Sequence, residues 1–338
     1  MDAMPAPTKT ASPAVPVAQE TFFIPALDPG IDLFVARKYP AGKKRFAASR
    51  IILFVHGSTQ PGSAFDVALP CGPGPDAPDL SWMDFMARKG FCVYAHDLRG
   101  YGRSTRPATM GELPENNPPI VRTPEAVRDV KAVADWIRRH HGVKTINVVG
   151  WSWGCVQSAQ YTAENPGVVG RLVLFAPLFL LEKPRPDTNL HYRAITREDA
   201  TADRLRGIPE GRDTDISPDH WFEKVWQASL ATDPEGAQRT PPAFRAPLGT
   251  AKDAHEYWSR GKRTYDPAKI TAPTFIITGE WDQATPVPTS LKLFSELTAA
   301  PYRRLEILPE ATHAALHEKN RYLLFHAVLR FLTEKPPA

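Results

Sequence analysis

Apolar residues fall into short continuous runs that alternate with longer segments of helical period. "RIILFVHG" (50–57) is a run that stops at a glycine, the form of a strand buried on both faces of a parallel sheet. "FCVYAHD", "TINVVG" and "VGRLVLFAP" repeat that form downstream. Ahead of them, "TFFIPALDPGIDLFVARKY" reads as two strands joined by a turn at Asp28-Pro29-Gly30. Helices lie between the runs. "LSWMDFMARKG" ends at Gly90. "RTPEAVRDVKAVADWIRRHHG" sets Val127, Val130, Ala134 and Ile137 on one face, with Thr123 as cap, Pro124 in the first turn and Gly142 as the stop. "WGCVQSAQYTAENPG" reads as a third helix.

Residues 61–80, crowded with Pro and Gly, read as a long surface loop of the functional kind. The alternation breaks at about residue 179, and from there to about 270 the chain is polar, Arg-rich and without strand runs. It then resumes with "TFIITGEWD" (strand), "PTSLKLFSELT" (helix), "YRRLEILPE" (strand) and "HAALHEKNRYLLFHAVLRFL" (helix). The pattern predicts an α/β fold, a mostly parallel twisted sheet with helices on both faces, interrupted once by an inserted, mainly helical cap. The expected divisions are a disordered N-terminal tail over 1–20, core over 21–178, cap over 179–270 and core again over 271–338.

At 338 residues and 42% hydrophobic, the chain can bury a large core. Lys+Arg 41 against Asp+Glu 37 leaves a net charge of +4 on a mixed surface, so no nucleic-acid partner is expected. No apolar run reaches the roughly 18 residues of a membrane span. The N-terminus lacks the basic-then-apolar stretch of a secretory signal. Three scattered cysteines, Cys71, Cys92 and Cys155, fit neither a disulfide framework nor a zinc site and point to a reducing, cytoplasmic compartment. The sequence carries no metal-ligand cluster and no phosphate-binding glycine loop, so no cofactor is expected. It does not bear on oligomeric state.

The chemistry is concentrated at Gly150-Trp151-Ser152-Trp153-Gly154, a G-x-S-x-G pattern at a strand–helix junction. A serine that must project from so sharp a turn needs small neighbours two residues either side, and Gly150 and Gly154 supply them. A lone hydroxyl is a poor nucleophile and needs a base oriented by a third group. The order serine, acid, histidine points to Asp282 in "TGEWDQATPVP" and His313 in "ILPEATHAALHE", each just past a strand. Glu280 competes with Asp282, and His317 with His313, although His317 would sit one turn along the closing helix. The oxyanion of acyl transfer needs preorganised N–H donors, and the backbone N–H of Trp153 is the first candidate. His140 and His141 end a helix, where a cation is stabilising.

The stretches "LFVHGS", "DLRGYGRS", "GWSWG", "GEWDQATP" and "THAALHE" resemble those of capped α/β-hydrolases over roughly 51–178 and 271–335. The resemblance implies Ser152 as nucleophile, Asp282 as acid and His313 as base. It implies a second oxyanion donor at Ser58, with Thr59 as the alternative because "HGST" replaces a glycine-rich loop. It also implies loop-shaping roles for His56 and for Asp97, with Arg99 near enough to pair with that carboxylate. A serine at the nucleophile position disfavours the dehalogenase and epoxide-hydrolase relatives, which use aspartate there.

The expected partner is a small-molecule substrate, and flanking aromatics point to a bulky apolar one. Candidate contacts are Trp151, Thr59, Trp221, Trp226 and Trp258, although cap aromatics also serve as a cap's own small core. Arg193, Arg197, Arg204 and Arg206 have the chemistry to grip a carboxylate, but nearby acids make a solvated surface the plainer account. Ester or lactone hydrolysis leads. An amidase of the proline iminopeptidase type is the alternative, with Glu223 its one candidate for holding an α-amine. A non-catalytic ligand-binding protein stands third.

Overall fold

The computed structural model of the chain describes residues 15–70 and 78–335. Strands β1 (Val17–Pro25), β2 (Asp32–Pro40) and β3 (Ile51–Val55) are followed by the short β4 (Leu69–Pro70) and β5 (Asp79–Leu80). Next come β6 (Cys92–His96), β7 (Ile146–Trp151), β8 (Val169–Phe175), β9 (Tyr192–Thr196), β10 (Ala243–Pro247), β11 (Thr274–Gly279) and β12 (Arg303–Leu308). Eight of them form one sheet in the order β1-β2-β6-β3-β7-β8-β11-β12. β2 runs antiparallel to both its neighbours, β1 and β6, and every pairing from β6 to β12 is parallel. The mostly parallel sheet read from the sequence is therefore present.

Alternation within the strands builds two cores. Ile51, Leu53 and Val55 of β3 face one and Ile52 and Phe54 the other, so the continuous apolar run reflects a strand covered on both sides. Helices α2 (Thr123–His141), α3 (Trp153–Glu164) and α8 (Val287–Glu296) cover the first face. On the second face lie α1 (Trp82–Arg88) and α9 (Arg321–Thr333).

Between β8 and β11 the chain carries α4 (Arg197–Leu205), α5 (Asp213–Ile216), α6 (Asp219–Leu230) and α7 (Gly249–Glu256). The strand-free reading of this segment is corrected: β9 and β10 pair antiparallel from Tyr192↔Pro247 to Thr196↔Ala243. Local period missed them because Arg193 and Arg245 interrupt the apolar runs, and pairing across some fifty residues is a tertiary event.

Other local readings shift as well. Val17 to Glu20 begin β1 rather than belonging to a disordered tail, while residues 1–14 lie outside the described residues. The 61–80 surface loop is buried over much of its first half, with Phe65 stacked 4.7 Å from Phe54. Residues 71–77, Cys71 among them, lie outside the described residues. Thr123 is not a cap but the first residue of α2, and the capping carboxylate comes from the insertion. Asp253 accepts from Thr123 N and Thr123 Oγ1, both at 2.7 Å. The closing segment is a short 3₁₀ turn, Ala315–His317, before α9, so His317 sits off the helix.

Candidate active site

After β3 the chain moves to β6 on one side and then to β7 on the other. This reversal opens a crevice at the carboxyl ends of β3 and β7, the place where open α/β sheets bind ligands. Ser152 stands at the end of β7 with φ 58 and ψ −121, a backbone region that costs a non-glycine residue about 1–3 kcal/mol. Three hydrogen bonds hold it there. Its N–H donates to Phe175 O at 3.0 Å, and its carbonyl accepts from Cys155 N at 3.0 Å and Leu178 N at 3.2 Å. The flanking glycines are sterically required. A Cβ on Gly150 would lie 2.5 Å from Gly154 O, and one on Gly154 would collide with the Val55 carbonyl.

Asp282 and His313 follow β11 and β12 and meet at 2.9 Å, Oδ2 to Nδ1. The Asp282 side chain is fully buried against a 23% exposed His313. Its Oδ1 accepts from Ala284 N at 2.9 Å and Thr285 N at 2.8 Å, and Thr285 Oγ1 donates to Oδ2 at 2.8 Å. Burial pushes this carboxyl up, but the charge and hydrogen bond of His313, with the Thr285 donors, outweigh it and hold it below the usual range. With Nδ1 committed to Asp282, Nε2 of His313 is the ring nitrogen left to take a proton. The Ser152 hydroxyl has no hydrogen-bond partner among the described residues, and it lines the same cavity as His313.

The competitors are accounted for. Glu280 turns aside to accept from Glu310 N at 3.0 Å. His317 reaches the same cavity but spends Nε2 on Ala64 O at 2.8 Å, and burial lowers its pKa to about 4. His56 donates from Nδ1 to Gly57 O at 2.7 Å and accepts from Leu98 N at 3.1 Å, tying two loops together. Asp97 accepts from Gly62 N and Arg103 N, each at 2.8 Å. The expected Asp97–Arg99 pairing is corrected: Arg99 instead clamps buried Asp129 and reaches Asp28, at 2.5 Å each. Nor is His141 a helix-terminal cation. Burial lowers its pKa to about 4, and its Nε2 sits 2.7 Å from the Tyr94 hydroxyl.

A cavity of about 430 Å³, large enough for an ordinary small molecule, opens over Ser152. Ser58 and Thr59 line it, and Tyr101 fixes their loop by donating to Ser58 O at 3.0 Å. Gly57 packs so closely that a Cβ there would sit 3.0 Å from Ser152 Cβ. Of the five candidate substrate contacts, Trp151 and Thr59 line the cavity, whereas Trp221, Trp226 and Trp258 do not. Trp226 packs 5.9 Å from Phe244, and Trp258 is 1% exposed. The wall facing the insertion is made by their smaller neighbours Phe222, Val225 and Phe244. Trp153 is also core, its indole donating to Thr123 Oγ1 at 3.1 Å. Its main-chain N–H begins α3 beside Ser152.

Two contributors escaped the sequence reading. Thr285 is one, although the Asp-x-x-Thr spacing of an Asx-type turn marks it. Glu318 is the other: it accepts from Thr312 N at 3.0 Å and from the Thr312 hydroxyl, immediately before His313. Among the described residues no group of acidic, histidine and cysteine side chains could hold a metal ion, and no helix is long and apolar enough to cross a membrane.

Comparison with known proteins agrees with this fold. A family described as "alpha/beta hydrolase fold" matches residues 51–320, and the chain belongs to that family. A hydrolase from Pseudomonas aeruginosa PA01 is similar at 18% identity and TM-score 0.63, over 93% of this chain and 98% of that one. An esterase from Exiguobacterium antarcticum matches at 16% and 0.59, over 92% and 99%. A serine hydrolase involved in carbazole degradation matches at 17% and 0.60, over 94% and 99%. At such identities the likeness is one of fold.

Proposed function

We propose that this α/β-hydrolase is a serine hydrolase that cleaves a carboxylic ester or lactone of a bulky, largely apolar small molecule. The observation that carries the reading is Ser152, held at positive φ and facing a cavity it shares with an imidazole whose far nitrogen is fixed by a buried carboxylate. In this reading Ser152 Oγ gives its proton to His313 Nε2 and bonds to the substrate carbonyl carbon. The N–H groups of Ser58 and Trp153 hold the resulting oxyanion, and the excursion between β8 and β11 acts as a cap. Collapse expels the alcohol, which takes the proton from His313. Water, deprotonated by the same imidazole, then attacks the acyl-serine, and collapse returns that proton from His313 to Ser152 Oγ as the acid is freed. Asp282 keeps the proton of His313 on Nδ1 and stabilises the imidazolium.

One observation counts against the aminopeptidase alternative. Glu223, its candidate amine ligand, pairs with Arg197 at 2.8 Å on the exposed surface and does not line the cavity. The test is a panel of p-nitrophenyl esters, lactones and amino-acid anilides. Ester or lactone cleavage that a serine-reactive phosphonate abolishes is the expected result. Anilide cleavage alone would overturn the reading.

A further inference from the structure

Four arginines, Arg185, Arg193, Arg204 and Arg206, line the cavity against one carboxylate, Asp203. Two are already neutralised. Arg206 pairs with Asp203 at 2.5 Å, and Arg204 pairs with Asp219 at 2.8 Å while lying over the Phe222 ring at 4.7 Å. Arg193 and Arg185 have no carboxylate in ion-pair range among the described residues. The placement of Arg193 is particular: its Nη2 donates to Thr59 Oγ1 at 2.8 Å. Thr59 follows Ser58 on the loop that Gly57 presses against Ser152. A hydroxyl occupies one of five guanidinium N–H groups and neutralises none of the charge.

Much of the rest of the lining is apolar, Leu178, Leu181, Ile195, Val225 and Phe244 among it. Asp199 feels the charge of Arg193 without pairing with it, and a guanidinium that holds no carboxylate beside such a surface favours a ligand that brings its own anion, which takes the fork bidentately. Arg193 is exposed at the rim, so the ligand's charge lies at the cavity mouth while its apolar part fills the interior. Resting on the hydrolase reading above, we infer that Arg193 is a specificity residue for an acyl group bearing a second, free carboxylate, so that the substrate class is half-esters of dicarboxylic acids. The acyl side is assigned because the leaving oxygen must face His313, which protonates it, whereas Arg193 is bonded to Thr59, beside the Ser58 N–H assigned to the carbonyl oxygen.

The experiment compares p-nitrophenyl hemiglutarate with the near-isosteric neutral p-nitrophenyl valerate on the full chain, as a ratio of kcat/KM. The wild type should favour the hemiglutarate by about tenfold or more, the size of one charge-assisted hydrogen bond. Arg193→Met should bring the ratio close to one, mainly through KM, and Arg193→Lys should restore part of it. Arg197→Gln, which alters an arginine outside the cavity, should keep the wild-type ratio. A wild-type ratio at or below one, or an Arg193→Met ratio equal to wild type, overturns the proposal. So does an Arg193-dependent preference for charge on the leaving group, read with 4-carboxyphenyl valerate. Calorimetric titration with glutarate separates this proposal from the hydrolase reading. Wild type should bind it about tenfold more tightly than Arg193→Met whether or not esters are cleaved, and equal or absent binding overturns the anion site alone.

Discussion

The indole N–H of Trp151 donates to the main-chain carbonyl of His313 at 2.9 Å, across 162 residues of chain. The residue just before the elbow serine thus holds the loop that carries the proposed base, and its ring lies 5.9 Å from the imidazole. The same indole lines the cavity, so it serves as wall and strut together. Trp151→Phe keeps the wall and removes the strut. Turnover should fall by about three- to tenfold, one net hydrogen bond in size, with KM for a neutral ester little changed. Steady-state kinetics on p-nitrophenyl valerate checks this.

Ser152→Ala should remove turnover by about 10⁴-fold or more while the chain still folds. Alanine keeps the unfavourable φ, whereas glycine relieves it. Ser152→Gly should therefore be equally inactive yet unfold in urea with about 1 kcal/mol more stability than Ser152→Ala.

Asp282→Asn should cost about 10⁴-fold in turnover, because the amide no longer selects the tautomer of His313 that leaves Nε2 basic. Glu280→Gln should change turnover by less than about threefold, since among the described residues its carboxylate serves only the Glu310 N–H. Parallel kcat measurements distinguish the two carboxylates.

Arg99 and Asp129 form a buried, multiply bonded pair, with Asp129 also accepting from Arg99 N at 3.0 Å. Arg99→Met leaves Asp129 buried without its cation and should destabilise the fold by about 3–5 kcal/mol in urea titration. Combining it with Asp129→Leu should recover a large part of that loss.

Burial raises the Glu318 carboxyl to about 7 against an ordinary 4.5, opposed in part by the Thr312 donors. A pKa raised on folding contributes stability below the unfolded value, which is lost as pH climbs towards the folded one. The stability of the wild type relative to Glu318→Gln should therefore decline between about pH 4.5 and 7 and level off above. Buried Asp97, raised to about 6, acts in the same sense in both proteins, and buried His56 and His317, lowered to about 4, act in the opposite one. Only the difference between the two proteins isolates Glu318. Urea midpoints at pH 5 and pH 8 measure it.

The sheet was legible because its central strands are apolar on both sides, so every run from Ile51–Val55 to Thr274–Gly279 stands out locally. Glycine spacing around Ser152 and strand-end positions were enough to single out Asp282 and His313 as candidates. What stayed hidden depends on distant partners. Nothing near Arg99 says that it meets Asp129 rather than Asp97, and nothing near Trp226 says that it turns towards Phe244 and leaves the cavity wall to Phe222. Arg193 was read as solvated surface because pairing within the insertion is invisible before folding: its neighbours find carboxylates, and it finds the Thr59 hydroxyl.

Asp253 binds Thr123, and Thr123 in turn receives the indole of Trp153, the first residue after the elbow. Chimeras that transplant the 179–270 segment between relatives would thus sever a thread running into the proposed reaction centre. A donor segment lacking an aspartate at this point would leave a helix end bare and an indole poorly moored. Module exchange in this scaffold should carry Asp253 with the graft, or replace Thr123 and Trp153 along with it.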